Sequence, residues 1–400
     1  MPNKGTWRTR GANAWGASPL LLATEDNTMK IAQIAPLMES VPPRLYGGTE
    51  RIVHHLTEEL VRQGHDVTLF ASGDSVTSAK LIPCVEQAIR LNSAVRDAIP
   101  HYLVMLDRLR SMAHRFDILH FHIDAFQMPL FRDLAGKTVT TLHGRQDILD
   151  MHCLYREIPE MPLVSISNAQ RAPIADANVV KTIYHGIPLD LYAPTYDPRG
   201  GYLAFIGRIS PEKRLDRAIE IACALGLPLK IAAKVGDCDE AYFREVIVPL
   251  LRRPGIEFLG EIGDREKAKF LGEALALLFP IDWPEPFGLV MIESMACGTP
   301  VLAFRCGSTG EVVDQGVTGR LVGSLDEAIR ALPEVLRMDR RGVRRRFEER
   351  FSAQRMANDY LEVYQSLDVS TAAALGRSRL ARGSNIIALP KIIGAERHAN

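Results

Sequence analysis

The chain has 400 residues with 48 basic and 48 acidic side chains, and 46% of its residues are hydrophobic. That balance excludes a disordered chain, a collagen-like chain and a polybasic nucleic-acid binder, and the length suits two domains that each bury a core. With zero formal net charge no long-range field gathers anionic partners, so any such partner must be held by a few placed side chains.

The six cysteines are scattered and form no C-x-x-C pair. This argues against a disulfide framework and a zinc ribbon and fits a reducing, cytoplasmic setting. No run approaches the roughly 18 apolar residues needed to cross a bilayer, and Pro19 to Ala23 is too short for an export signal. Residues 1–28 lack periodicity and read as a disordered extension or a start assigned too early, with Met29 as the expected first residue.

From Met29 onward short β-branched runs alternate with helical patterns, the mark of parallel sheets covered by helices on both faces. A strand over Ile31–Ala35 leads through a Gly47-Gly48 loop into a helix with Ile52, Val53, Leu56, Leu60 and Val61 on one face, closed by Gly64. Further strands are expected over 66–71, 118–121, 138–142, 163–166 and 180–184, and their carboxyl ends should form the rim of a cleft. Turn formers crowd residues 193–201, which places the domain boundary at 195/196. The second half repeats the plan: a strand at 202–207, a helix carrying Leu215, Ala218, Ile219, Ala222 and Leu225, and strands at Leu229, Ile256, Leu277 and Val301. After Val322 the pattern is helical to Leu367, and residues 368–400 read as a disordered tail. The expected domains are therefore 29–195, 196–350 and a terminal helix over 351–367.

Arg208 and Lys213 fall between a strand end and a helix start, where two cations and unpaired N–H groups suit a diphosphate. The alternative is a pair of solvated surface charges. Glu285 and Glu293 stand eight positions apart in a Pro-flanked loop and the short helix Leu289–Ala296, which Gly298 caps. The backbone N–H groups of Phe287, Gly288 and Leu289 can meet phosphate or sugar oxygens, while the two carboxylates accept from vicinal hydroxyls. The plainer reading makes Glu293 a helix-dipole partner and Glu285 a loop charge. His120, His122 and Asp124 could mimic a metal site, but no third ligand is convincingly spaced, and no metal is expected. Trp283 offers either a sugar platform or loop packing. The basic run Arg340–Arg346 reads as a solvated helix face, with contact to anionic lipid as the alternative.

Taken together, Arg208 with Lys213, the block Pro284 to Pro300 around the two glutamates, Tyr46 to Arg51, Gly64 to Val67, Asp117 to His122 and Thr141 to Gly144 resemble retaining glycosyltransferase family 4. The resemblance spans about residues 29 to 367 and implies an α/β GT-B fold, with two doubly wound Rossmann-like domains facing across a cleft. It implies a glycosyltransferase moving a hexose from a nucleotide diphosphate sugar, UDP favoured, to an acceptor hydroxyl without metal or other cofactor. Arg208 and Lys213 would hold the diphosphate, Glu293 the ribose, Glu285 the sugar hydroxyls, and Phe287, Gly288 and Leu289 would add backbone contacts. Gly47 and Gly48 would close over the phosphates and His143 would lie beside the transferred sugar. Base contacts are expected near Gly260, Glu261 and Ile262, and acceptor contacts near His120 and His122. The chain departs from the family pattern at Arg214, where Gly is frequent, and at His185, where Asn is frequent. An epimerase or sucrose-synthase-like activity on the same fold, or a non-catalytic nucleotide-sugar-binding protein, are the alternatives. No nucleic-acid partner and no transmembrane span are expected.

Overall fold

A computed structural model describes residues 28–44 and 47–367. The extension read over 1–28, save Thr28, the residue Tyr46 and the tail over 368–400 lie outside the described residues.

Seven parallel strands form the first sheet: β1 (Lys30–Ile34), β2 (Asp66–Ser72), β3 (Lys80–Val85), β4 (Ile118–Phe121), β5 (Thr138–Thr141), β6 (Leu163–Ser165) and β7 (Val179–Thr182). Their order is β3-β2-β1-β4-β5-β6-β7. Six more form the second sheet: β8 (Leu203–Ile209), β9 (Leu229–Val235), β10 (Ile256–Gly260), β11 (Ala276–Phe279), β12 (Val301–Phe304) and β13 (Gly319–Val322), in the order β10-β9-β8-β11-β12-β13. The inner strands are buried on both faces, as Ile31, Ala32 and Ile34 of β1 and all of β12 show, which is why they read as apolar runs rather than alternations. In each sheet the strand order reverses beside the first strand, between β1 and β4 and between β8 and β11. Loops diverge at those two points and leave a crevice at the carboxyl ends.

Among the elements that the sequence reading did not name, three show why. Edge strand β3 carries Pro83 and has only exposed and half-buried positions. Proline is tolerated there because an edge strand leaves one side of its backbone unpaired. Strand β13 opens on Gly319 and Arg320, which break the apolar run that marks the inner strands. The helix Ile99–Met112 buries a stripe of Tyr102, Met105, Leu106 and Leu109, but the apolar Leu103 and Val104 are exposed off that face, which blurs its period.

The basic run is also corrected. Arg340 and Arg344 are not solvated: they lie in the core at 9% and 7% exposure. The Arg340 guanidinium donates to the carbonyls of Thr195, Gly272 and Ala274, and that of Arg344 to those of Leu189, Tyr192 and Ala296. The planar fork of arginine satisfies several carbonyls at once and ties the segment joining the two sheets to the second of them.

The last helix, Ala353–Ser366, lies on the first half of the molecule. Tyr360 and Tyr364 are buried, Lys181 pairs with Asp359 at 3.1 Å and with Glu362 at 2.7 Å, and Gln63 bonds Asn358 at 3.1 Å. A second tie runs the other way: the Glu311 carboxylate accepts from the backbone N–H groups of Asn168 and Ala169, both at 2.7 Å, and from the Tyr184 hydroxyl at 2.9 Å.

Candidate active site

The carboxyl ends of the two sheets meet at a cleft of about 800 Å³ whose walls come from both halves. Gly47 and Gly48 open the helix Gly48–Arg62 on one wall, and Gly288 precedes the helix Leu289–Ala296 on the other. Gly48 stands so close that a Cβ there would lie 3.5 Å from Leu289 Cδ1. Two helix N-termini thus converge on one space and bring free N–H groups and partial positive charge to it. Gly288 has φ +81, and a Cβ would fall 2.7 Å from Met291 Cε. Only glycine suits both demands.

Arg208, at the end of β8, bonds Glu212 at 2.7 Å and approaches Asp239 at 3.5 Å. The Lys213 ammonium meets Glu285 at 2.5 Å and lies 4.5 Å from the centre of the Trp283 ring. The Trp283 indole N–H donates to the same Glu285 oxygen at 2.9 Å. Glu293, buried on its helix, accepts from Lys267 at 2.9 Å and from the Tyr192 hydroxyl at 3.3 Å. Lys267 and Tyr192 escaped the sequence reading: each reaches Glu293 from a distant element, and no local pattern announces it. Trp283 proves to be an orienting partner of Glu285 with a ring face under Lys213.

Arg214 takes the left-handed conformation, φ +52. A glycine would adopt this without cost, so the departure from the family pattern is one of strain and not of shape. Its guanidinium is anchored by Asp216 at 2.8 Å and Asp282 at 2.8 Å. Arg214→Ala removes the anchors and keeps the strain, whereas Arg214→Gly removes both. The glycine variant is therefore expected to be the more stable of the two by about 1 kcal/mol, read from their chemical denaturation midpoints.

A hydrogen-bonded array of histidines underlies the cleft. Gln33 Nε2 donates to the Tyr364 hydroxyl at 3.3 Å, and Gln33 Oε1 lies 2.8 Å from His122 Nε2. With the amide oxygen on that side His122 Nε2 must carry the proton, so its Nδ1 accepts from His143 Nε2 at 2.9 Å. The Nδ1 atom of neutral His143 is then left as an acceptor. Burial pushes His143 down to about 3 and lowers His122 and His185 well below the ordinary imidazole range. His185 stacks on His143 at 5.4 Å and meets the edge of Phe287 at 4.8 Å.

Gly47, Gly48, His122, His143, Arg208, Lys213, Glu261, Ile262, Glu285, Phe287, Gly288, Leu289 and Glu293 all border this cleft. Gly260 and His120 do not. Gly260 ends β10 at φ +76 and stands back from the wall. His120 is corrected from an acceptor contact to a core residue: its ring nitrogens bond the Tyr364 hydroxyl and Thr141 Oγ1, both at 2.7 Å. Those two bonds also remove it from any metal site with His122 and Asp124.

Two family models match the chain, "Glycosyltransferase Family 4" over residues 46–191 and "Glycosyl transferases group 1" over residues 196–352. The chain belongs to glycosyltransferase family 4. It is a glycosyltransferase of the nucleotide-sugar-dependent kind, with the GT-B fold. Among curated relatives, it is 27% identical to a glycogen synthase of Mycobacterium tuberculosis, over 81% of this chain and 92% of that one. It is 26% identical to an N-acetyl-alpha-D-glucosaminyl L-malate synthase of Bacillus anthracis, over 80% and 93%. Among solved structures, a sucrose-phosphate synthase from Thermosynechococcus elongatus superposes with a TM-score of 0.70 at 18% identity, covering 85% of this chain and 99% of that one. The avilamycin glycosyltransferase AviGT4 gives 0.66 at 23% identity, covering 86% and 98%. HepE of Anabaena, solved with UDP and glucose, gives 0.62 at 16% identity, covering 85% and 100%. Among the described residues no helix is long and apolar enough to cross a membrane.

Proposed function

We propose that this glycosyltransferase moves a hexose from a UDP-sugar to an acceptor hydroxyl with retention of anomeric configuration, and that its own cations carry the charge of the departing diphosphate. The observation that carries this reading is the set Arg208, Lys213 and Lys267 standing with Glu285 and Glu293 beside the helix N-terminus at Gly288. Chemically, this combines anion stabilisers with buried carboxylates that accept from hydroxyls.

In this reading the diphosphate lies between Arg208 and Lys213 and the N-terminus of the helix Leu289–Ala296. The ribose hydroxyls bond Glu293, which Lys267 and Tyr192 hold in place. The sugar hydroxyls bond Glu285 and the backbone from Phe287 to Leu289, and His143 Nδ1 accepts from a sugar hydroxyl. The bond from the anomeric carbon to the phosphate oxygen breaks, and its electron pair stays on the diphosphate. The acceptor oxygen then bonds the anomeric carbon on the face just vacated, and its proton passes to the phosphate oxygen. Interactions that strengthen as charge gathers on the diphosphate lower the barrier, which is the work of the two cations. Glu261 and Ile262 lie where the base would sit. HepE, of the same fold, was solved with UDP-glucose, which supports uracil as the base here.

The test is a thermal-shift panel of UDP-, GDP-, ADP- and dTDP-sugars on the wild type and Glu293→Ala. A ligand bound to the native state alone raises the melting temperature. A rise with a UDP-sugar that disappears in the variant is the expected result. A rise with another base only, or one unchanged in Glu293→Ala, refutes the assignment.

A further inference from the structure

On the first-domain wall of the cleft, β4 runs out through His122 and Ile123 into Asp124, a residue with φ +55. Left-handed backbone is costly for a residue with a Cβ and free for glycine, and it persists where surrounding contacts impose it. Here they do. Gln127, fully buried, donates to the Asp124 carbonyl at 2.9 Å and to Thr140 Oγ1 at 2.7 Å, pinning the turn to β5. The chain thus carries a carboxylate at a position where glycine would be easier, and that carboxylate opens into the cleft. Among the described residues no group bonds or pairs with it.

Its surroundings define what it meets. Phe126, 46% exposed, borders the same cleft and stacks on Tyr102 at 5.2 Å with the two rings 4° from parallel. The Tyr102 hydroxyl is fixed by the Leu37 N–H at 3.0 Å, so the pair is a rigid aromatic platform. Two of the cations bordering the cleft are matched: Arg90 holds Glu39 at 2.8 Å and Arg145 holds Asp147 at 2.5 Å. An anionic acceptor lying on Phe126 would meet the unmatched Asp124 carboxylate.

We infer that Asp124 and the Phe126–Tyr102 stack form the acceptor subsite, which takes a neutral polyhydroxylated ring lying on Phe126 and donating a hydroxyl to the Asp124 carboxylate. The inference rests on the proposed transfer reaction for its meaning, because it places the acceptor on the wall opposite Lys213 and Glu285. His122, two residues before Asp124, bonds His143, so the subsite adjoins the residue expected beside the transferred sugar. Aromatic faces pair well with the C–H faces of such rings through apolar contact, and a carboxylate makes a strong charge-assisted bond to a hydroxyl.

Saturation-transfer NMR on the full chain, with and without UDP, tests this with four probes: methyl α-D-glucopyranoside, myo-inositol, glucose 6-phosphate and glucosamine. The neutral probes should bind in the millimolar range and weaken about tenfold or more in Asp124→Gly. That variant relieves the left-handed strain, so its melting temperature should not fall, and lost binding cannot then be blamed on unfolding. Phe126→Ala should weaken the same probes, while the UDP-induced thermal shift stays as in the wild type in both variants. The subsite is overturned if the neutral probes fail to bind the wild type, bind Asp124→Gly equally well, or bind less tightly than glucose 6-phosphate or glucosamine. A missing UDP shift in the wild type refutes the donor reading instead, so the two failures are told apart.

Discussion

Replacing Lys213 by alanine is expected to lower turnover roughly 100- to 1,000-fold, the range seen when one preorganised stabiliser of a developing anion is removed. Lys213 lies only 2.5 Å from Glu285, and both side chains are largely shielded from water. In such a setting the ammonium is worth far more to a departing diphosphate than it would be in solvent. In the proposed mechanism the charge it neutralises grows as the glycosidic bond breaks, so kcat should fall more than KM rises. Lys213→Ala also strands Glu285, though Trp283 still donates to that carboxylate at 2.9 Å. A loss of melting temperature is expected alongside the kinetic loss, and it should be smaller in Lys213→Ala/Glu285→Gln, where no buried charge is left alone. Steady-state kinetics with the cognate nucleotide sugar, run beside thermal unfolding of both variants, would measure the two effects. If the double variant regained turnover, Lys213 would be a structural partner of Glu285 and not a stabiliser of the leaving group.

The second large effect is acid lability. His55, His120, His122 and His185 are nine-tenths buried or more, and burial lowers each well below the ordinary imidazole range. The folded chain holds them neutral, while the unfolded chain protonates them near pH 6.5. Their stabilising contribution is therefore complete above about pH 6.5 and is lost as the pH falls through that value, because the unfolded state binds more protons. Between pH 7.5 and 5.5 stability should therefore fall by on the order of 1 kcal/mol for each histidine held neutral in this way, His143 included. Denaturant midpoints followed by fluorescence across that range would show it, and His185→Asn should make the slope shallower. A flat stability profile would mean that these rings gain protons without unfolding. Activity should behave differently: with His143 held at about 3, the rate profile between pH 5 and 8 should carry no limb from this histidine wherever the chain remains folded.

Much of the architecture was legible because inner strands of parallel sheets are buried on both faces and write themselves as short apolar runs. Strands β1, β2, β4, β8, β11 and β12 are of this kind. The weakly patterned elements were not legible: β3 with its proline at an edge, β13 with Gly319 and Arg320 in place of an apolar run, and a helix with apolar residues exposed off its buried face. The residues meeting at the cleft were also largely readable, since Arg208 with Lys213 and Glu285 with Glu293 each stand close in sequence and at turns where special backbone is needed.

What the sequence could not determine is which partner each of those groups takes. Lys267 reaches Glu293 across 26 residues, and Tyr364 reaches His120 across 244. Such pairs exist only after two sheets and a returning helix have packed. The same holds for Arg340 and Arg344, which look like surface charge in a basic run until the chain around them supplies buried carbonyls. It holds as well for Asp124, whose left-handed backbone is imposed by Gln127. Local pattern determines which elements form and which chemical groups stand at their ends. Long-range packing decides which of those groups are desolvated, paired or left open to a ligand, because desolvation depends on neighbours that no local stretch of sequence contains.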